Sequence, residues 1–219
     1  MKYLVMALAG FSALAGSHAV LADDFRPHPY LAIGAGVAKA HDLAQQTQDE
    51  QRYMAYLGMS SDAEVHDLAA SYRLTAGYRA SPWLALETQL AWLGSYSADI
   101  RGHSARNSMN ERFEAKAYGV GLSAVFLAPV GRETDLFLKA GMFHSSLDAS
   151  ITTSGWGGKY VDNFSTHSTQ PVWGAGLQFR SGAAKIRLEY ESYQDVGKQA
   201  GRYDGSQVDV VTLSTLFEF

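Results

Sequence analysis

Between residues 30 and 219 apolar side chains alternate with small or polar ones over stretches of about ten positions, and the alternation restarts until eight such stretches have passed. A period of two sends successive side chains to opposite faces, so each stretch reads as a β-strand with one apolar face. The stretches cover 30–38, 70–79, 83–94, 113–127, 135–144, 172–179, 184–193 and 207–219. In the first, Leu31, Ile33, Ala35 and Val37 oppose Ala32, Gly34 and Gly36; in the third, Leu84, Leu86, Leu90 and Trp92 oppose Ala85, Glu87, Gln89 and Ala91. The connections alternate as well. Those at 80–82, 129–134 and 181–183 are short and carry Gly, Pro and Ser, whereas those at 39–68, 95–112, 145–170 and 194–206 are long. A soluble sandwich has no reason to alternate in this way. The pattern predicts an all-β fold, an eight-stranded antiparallel up-and-down transmembrane β-barrel with short periplasmic turns, long extracellular loops and both termini periplasmic.

Charge decides which face meets lipid. Arg73, Glu87, Lys139, Arg187 and Glu189 fall near mid-strand on the faces opposite the Leu, Val and aromatic residues. On a lipid-facing surface each Arg or Lys at the midplane would cost about 2–4 kcal/mol, so these side chains are expected inside, as a charge network plugging the barrel. An eight-stranded barrel is just wide enough for its own side chains to fill, and glycine concentrates on the same inward face. Tyr78, Trp83, Phe126, Phe179 and Phe219 fall at the turn ends and Trp92, Tyr118, Trp173 and Tyr190 toward the loop ends, as two interfacial girdles require. A sandwich core would have to bury the five charges on one common face at a heavy pairing cost.

The first 22 residues read as a secretory signal peptide: Lys2, the apolar run 3–15, then small residues ending in Val20, Leu21 and Ala22, with cleavage before Asp23. Residues 23–219 then form one barrel domain. Removing Lys2 takes the net charge from −4 to −5, which gives no reason to expect nucleic acid as a partner. The absence of Cys excludes disulfides and thiolate chemistry. No stretch reaches the roughly 18–20 apolar residues of a membrane helix.

The runs Gly77-Tyr78-Arg79-Ala80-Ser81-Pro82-Trp83-Leu84-Ala85-Leu86-Glu87, Tyr118-Gly119-Val120-Gly121-Leu122-Ser123, Lys139-Ala140-Gly141 and Trp173-Gly174-Ala175-Gly176-Leu177, with the terminal Phe219, resemble the small OmpA-like and OmpX-like outer-membrane barrels. The similarity extends through the whole mature chain, and among shorter members the accessory colonisation factor (AcfA-like) group is a plausible home. The resemblance implies the outer membrane of a Gram-negative bacterium, contact with its lipid and lipopolysaccharide, and no attached peptidoglycan-binding domain. It also implies that Phe217 and Phe219, alternating with Val211, Leu213 and Thr215, present a signal to the barrel-assembly machinery. Such motifs specify a fold well and a function poorly.

Function is therefore expected in the loops. The first, 39–67, sets two basic residues against six acidic ones and carries a helix signal over about 43–57, with Asp42 as cap, Gln45 as its reciprocal partner and Gly58 as terminator. An isolated helix of that length is marginal unless Tyr53, Tyr56 and Leu57 pack on something. A partner-binding surface and a solvated loop screened by divalent cations beside lipopolysaccharide both fit. In the third loop, Trp156 and Tyr160 on a Gly-rich backbone suit contact with a host or surface protein or a glycan, or rest on the barrel rim. His41, His66, His103, His144 and His167 lie in or beside the loops without metal-ligand spacing, so neither a metal nor a cofactor is expected. His144-Ser145-Ser146 and His167-Ser168 bring a His/Ser hydrolase to mind, and some small outer-membrane barrels are lipid A deacylases or acyltransferases; adjacent strand residues face opposite ways, so a His144 and Ser145 pair is poorly placed, and no catalytic residue is assigned. The leading reading is a non-enzymatic, monomeric surface barrel serving envelope integrity or attachment. A lipid A-modifying enzyme comes next, and a narrow channel for small solutes third.

Overall fold

The structure is a computed structural model describing residues 25–56, 58–104, 108–131, 133–155, 158–198 and 205–219. The expected signal segment, Leu57 and Trp156 lie outside them. Strand β1 (His28–Ala40) leads through helix α1 (Asp42–Tyr56) and a short strand β2 (Ser60–His66) into β3 (Leu68–Ser81), β4 (Leu84–His103), β5 (Ser108–Pro129), β6 (Thr134–Gly155), β7 (Gly158–Ser181), β8 (Ala184–Val196) and β9 (Ser206–Glu218). Apart from β2, each strand pairs antiparallel with the next, and β1 closes onto β9, with Leu31 opposite Phe217, to make an eight-stranded ring. Closure removes the unpaired strand edges that lipid could not satisfy. Gly182, at φ 64°, occupies the tight turn that sets Ser181 opposite Ala184.

The barrel's outer surface is a band of exposed Ile33, Leu74, Leu90, Leu122 and Leu213. Within, three layers stack. Toward the turn end Tyr30, Ala85, Val125, Phe137 and Leu216 are buried together; toward the loop end Leu93, Phe143, Val172, Tyr193 and Val210 form a second apolar layer; the charged side chains lie between. Gly77 makes room for this arrangement, because a Cβ there would sit 2.2 Å from the Tyr30 ring.

The strands are very unequal. β1, β8 and β9 have 13 residues each, while β5 and β6 have 22 and β7 has 24. A membrane strand takes about 9–11 residues, so the long connections after β4 and β6 are mostly continuations of strands, rising as a wall above one side of the barrel mouth. The polarity pattern changes phase where the wall begins. Below it, even-numbered β5 residues Tyr118, Val120 and Leu122 face outward and are apolar; above it, odd-numbered Phe113 and Ala115 are the apolar ones and face inward, with Glu114 and Lys116 outside. That inversion interrupts the alternation on which a strand is recognised, which is why the sequence reads as loop there.

Candidate functional site

Three cations and three carboxylates meet in the middle layer. Lys139 Nζ lies 2.8 Å from Glu191, 3.1 Å from Glu87 and 3.3 Å from Glu189. Arg73 bridges Glu189 at 2.7 Å and also pairs with Glu191, and Arg187 pairs with Glu87. All six are buried, and their formal charges cancel. Neutral partners fill the remaining bonds: Tyr30 OH donates to Glu87 (2.6 Å), Tyr193 OH to Glu191 (2.8 Å), and Lys139 to Gln89 Oε1 (2.8 Å). Arg187 donates to Gln178, whose amide donates to Asp135, which pairs with Arg79. Glu191, absent from the five charges singled out by sequence, shares their face by the same period of two. A buried ion pair survives only with close charge compensation, and here one oxygen of each carboxylate, Glu87 Oε2, Glu189 Oε1 and Glu191 Oε1, has Lys139 as its charge partner without an aligned hydrogen bond.

The wall consists of the upper halves of β4 to β7. β2, folded back from the first connection, covers its β4 edge, with Ser60 opposite His103 and His66 opposite Ser97. The β7 edge is different: β8 pairs with β7 only from Val172 onward, so residues 158–171 have no second strand beside them among the described residues. Tyr160, 66% exposed, stands on this open edge.

Helix α1 leans on the inner face of the wall through a stripe of Leu43, Thr47 and Met54, with Met54 against Gly102. Tyr53 (60% exposed) and Tyr56 (87%) do not supply the packing that a helix of this length needs; the buried stripe does. Nor does Asp42 cap the first turn: its carboxylate accepts from the Gln207 N–H at 2.9 Å and ties the helix to β9. The other end matches the sequence signal. Gly58 at φ 75° closes a Schellman motif, Met59 N–H donating to Met54 O and Gly58 N–H to Ala55 O.

Between α1 and the wall lies a cleft of about 620 Å³. Half-buried Phe113, Ile151 and Phe164 form its floor with Ile100, and Asp49, Glu50, Glu111 and Asp162 form its rim. Burial and the nearby Glu50 charge push the Glu111 carboxyl above the ordinary carboxylate range. Asp49 pairs with Arg52 at 2.9 Å; Glu50, Glu111 and Asp162 have no ion-pair partner among the described residues.

The OmpA-like transmembrane domain family matches residues 25–219. The chain belongs to that family. No match was found among curated proteins. Among solved structures, Neisserial surface protein A is similar at 15% identity and a TM-score of 0.50, covering 89% of this chain and 100% of that one. The N-terminal β-barrel domain of Pseudomonas aeruginosa OprF gives 12%, 0.49, 89% and 100%, and Yersinia pestis Ail, the attachment invasion locus protein, solved with the heparin analogue sucrose octasulfate, gives 16%, 0.44, 88% and 99%. At 15% identity the likeness to Neisserial surface protein A shows the fold alone, that of an outer-membrane β-barrel.

On the lipid-facing side of this OmpA-like barrel, strand register draws a row of polar and aromatic groups. Trp92 stands opposite Tyr118, Tyr118 opposite Ser146, and Ser146 opposite His167. The Trp92 and Tyr118 rings stack at 5.8 Å, and Trp173 meets Tyr190 at 5.6 Å, the loop-end girdle. Ser146 Oγ lies 2.9 Å from His167 Nδ1, and His144, one step nearer the membrane centre, stacks on His167 at 6.2 Å and reaches Thr169 at 2.8 Å. Ser145 is buried, its hydroxyl directed to Gln170 on the inner side. The sequence reading weighed His144 against Ser145 and missed Ser146 with His167, a pair set by cross-strand register. No group of three or more His, Asp or Glu side chains able to hold a metal occurs among the described residues. Phe217 and Phe219 point outward at the turn end, where Phe219 N–H donates to Pro29 O at 3.1 Å.

Proposed function

We propose that this protein is a non-enzymatic, monomeric surface barrel that attaches the cell to a protein or glycan through the wall and α1, with the loop end outside the cell and the termini periplasmic. The observation that carries the reading is the upper edge of β7, unpaired among the described residues. Residues 158–171 offer a row of backbone donors and acceptors to a partner strand, and exposed edges are what recognition by strand addition uses. Tyr160 on this edge, and Tyr53, Tyr56 and Trp156, supply aromatic contact area, the side chains that dominate recognition surfaces. Arg73, Glu87, Lys139, Arg187 and Glu189 serve the barrel and not the partner, and Phe217 and Phe219 serve its assembly. Replacing 43–57 and 154–160 with short Gly-Ser turns should leave a heat-modifiable barrel in the outer membrane and abolish adherence to the surface it recognises. Adherence unchanged by both replacements would refute the proposal.

A lipid-modifying enzyme is the second reading, favoured by one contact, Ser146 Oγ to His167 Nδ1. A hydroxyl and a base within hydrogen-bond reach are the start of a nucleophile site, and Ser146 lines a lipid-facing groove of about 660 Å³ together with Leu74, Leu90 and Val120. The acidic residue that would orient the imidazole is not seen beside His167 among the described residues. Mass spectra of lipid A and phospholipids from cells overexpressing the protein separate the readings: a new deacylated or acylated species that disappears in Ser146→Ala establishes the enzyme.

A further inference from the structure

We propose that the cleft between α1 and the inner face of the wall binds a basic amphipathic peptide segment, apolar side chains on the Phe113, Ile151 and Phe164 floor and Lys or Arg side chains against Glu50, Glu111 and Asp162. The inference rests on the attachment reading and names a partner chemistry for it.

The cleft has the size of a ligand site, since such pockets enclose about 300–1,000 Å³. Its two halves make opposite demands. Phe113, Ile151 and Phe164 are only half buried although they continue the apolar inner face of the wall, so they gain by being covered. The rim repels an anion and lacks a cation: Glu50 and Glu111 act on each other across the gap, raising the Glu111 carboxyl, and neither they nor Asp162 has a basic partner among the described residues. The other charged groups near the rim do not change this balance, because Arg52 is committed to Asp49, and Arg101 and Arg112 stand on the outer face of the wall. An inorganic cation would satisfy the rim and leave the floor wet. A neutral apolar chain would cover the floor and leave the carboxylates unpaired. A segment carrying both kinds of side chain within one or two turns satisfies both. Tyr160 lies on the same face of β7 as Asp162 and Phe164, two residues beyond, where a segment longer than the cleft would continue.

The test uses the full mature chain in nanodiscs of zwitterionic phosphatidylcholine and a fluorescein-labelled helical Leu/Lys peptide, read by anisotropy, with empty nanodiscs as the blank and the matching Leu/Glu peptide as the charge control. The protein is expected to bind the Leu/Lys peptide above the blank and to ignore Leu/Glu. The triple variant Glu50→Gln, Glu111→Gln, Asp162→Asn should bind it about tenfold more weakly, the exposed Glu50 and Asp162 and the half-buried Glu111 each contributing a share. Glu114→Gln, on the outer face, should bind like the parent. Heat-modifiable mobility confirms that each variant is folded, and Glu111→Lys, which places a cation in the cleft, provides a second test through lost binding. Equal binding by the triple variant, equal weakening by Glu114→Gln, or equal binding of Leu/Glu would each overturn the proposal. The attachment reading stands apart from these outcomes, since it is decided by adherence after removal of the wall tip and α1.

Discussion

Lys139 is the keystone of the buried network, and Lys139→Met tests whether the barrel depends on its charge balance. The ammonium sits about 3 Å from three carboxylates. At an effective dielectric near 20 each such contact is worth about 5 kcal/mol before desolvation. Repulsion from Arg73 and Arg187 and the several kcal/mol needed to dehydrate the ammonium remove most of that sum. What decides the outcome is the remainder. The cluster goes from three positive against three negative charges to two against three, and breaking a buried pair in this way destabilises by about 3–5 kcal/mol. Met conserves the length and apolar bulk of the stem, so the loss reports charge and not a cavity. The assay is reversible urea unfolding in lipid vesicles, followed by Trp fluorescence and heat-modifiable mobility. Adding Glu191→Gln restores the balance at two against two and leaves an amide oxygen at that position able to accept from Tyr193 OH, so the double variant should recover at least half of the loss. A single variant within about 0.5 kcal/mol of the parent, or a double variant no better than the single, would refute the reasoning.

Planar-bilayer recording should show no stable unitary steps, because the charged layer is sealed on either side by the Phe137 and Phe143 layers; steady steps would show that the layers part. Leu43→Ala, which removes a buried anchor of α1, should speed protease cutting within α1 several-fold while the barrel band persists, and uniform cutting rates would show that the anchor is idle. The raised Glu111 carboxyl gives the wall a pH dependence: a carboxyl whose folded pKa lies above its unfolded one favours the folded arrangement below the unfolded pKa, and that advantage is lost as pH rises through the folded pKa. Cutting within α1 should thus be slower at pH 4 than at pH 8, and Glu111→Gln should narrow the difference. Deleting Phe219 should reduce the heat-modifiable barrel recovered in the outer-membrane fraction, an outcome that an undiminished yield would contradict.

The barrel was legible because its two faces obey one rule over the whole hydrocarbon depth. Leu86, Leu90 and Trp92 face out and Glu87, Gln89 and Ala91 face in, with no break to misread. The wall was not legible, since its apolar side is the other one. β6 shows the change: Leu138, Ala140 and Met142 face lipid, His144 ends the series, and from Leu147 through Ala149 to Ile151 the apolar residues face inward. In β4 a bulge between Trp92 and Gly94, where φ is 121°, swaps the faces instead, so that even-numbered Tyr96, Ala98 and Ile100 turn inward without any change in the parity of the apolar residues. A reader following one parity sees β5 and β6 stop at the wall, and in β4 is given no sign that the apolar face has changed sides. The helix was placed by its terminator and not by its cap, because the Schellman glycine is a local requirement whereas Asp42 is claimed by Gln207, some 165 positions away. Which residues of α1 are buried was not legible for a related reason: the stripe is set by which side of α1 meets Gly102, a contact no sequence window contains.

The same inversion bears on where recognition can evolve. Inside the membrane an inward residue answers to a balanced six-charge cluster, and an outward one to lipid; either substitution carries an energetic penalty. Above the row Trp92, Tyr118, Ser146 and His167 both demands relax, because the outer face can be wetted and the inner face packs against α1 and, through Leu147, against Val196 and Gly197. The inner face nevertheless keeps Phe113, Ile151 and Phe164, half covered by a helix that meets the wall through Leu43, Thr47 and Met54. A helix intended only to close the mouth would be expected to bury them. That the apolar floor remains open beside three carboxylates with no basic partner among the described residues is the reason to look for the partner there and along the β7 edge that no described strand covers, and not in the barrel.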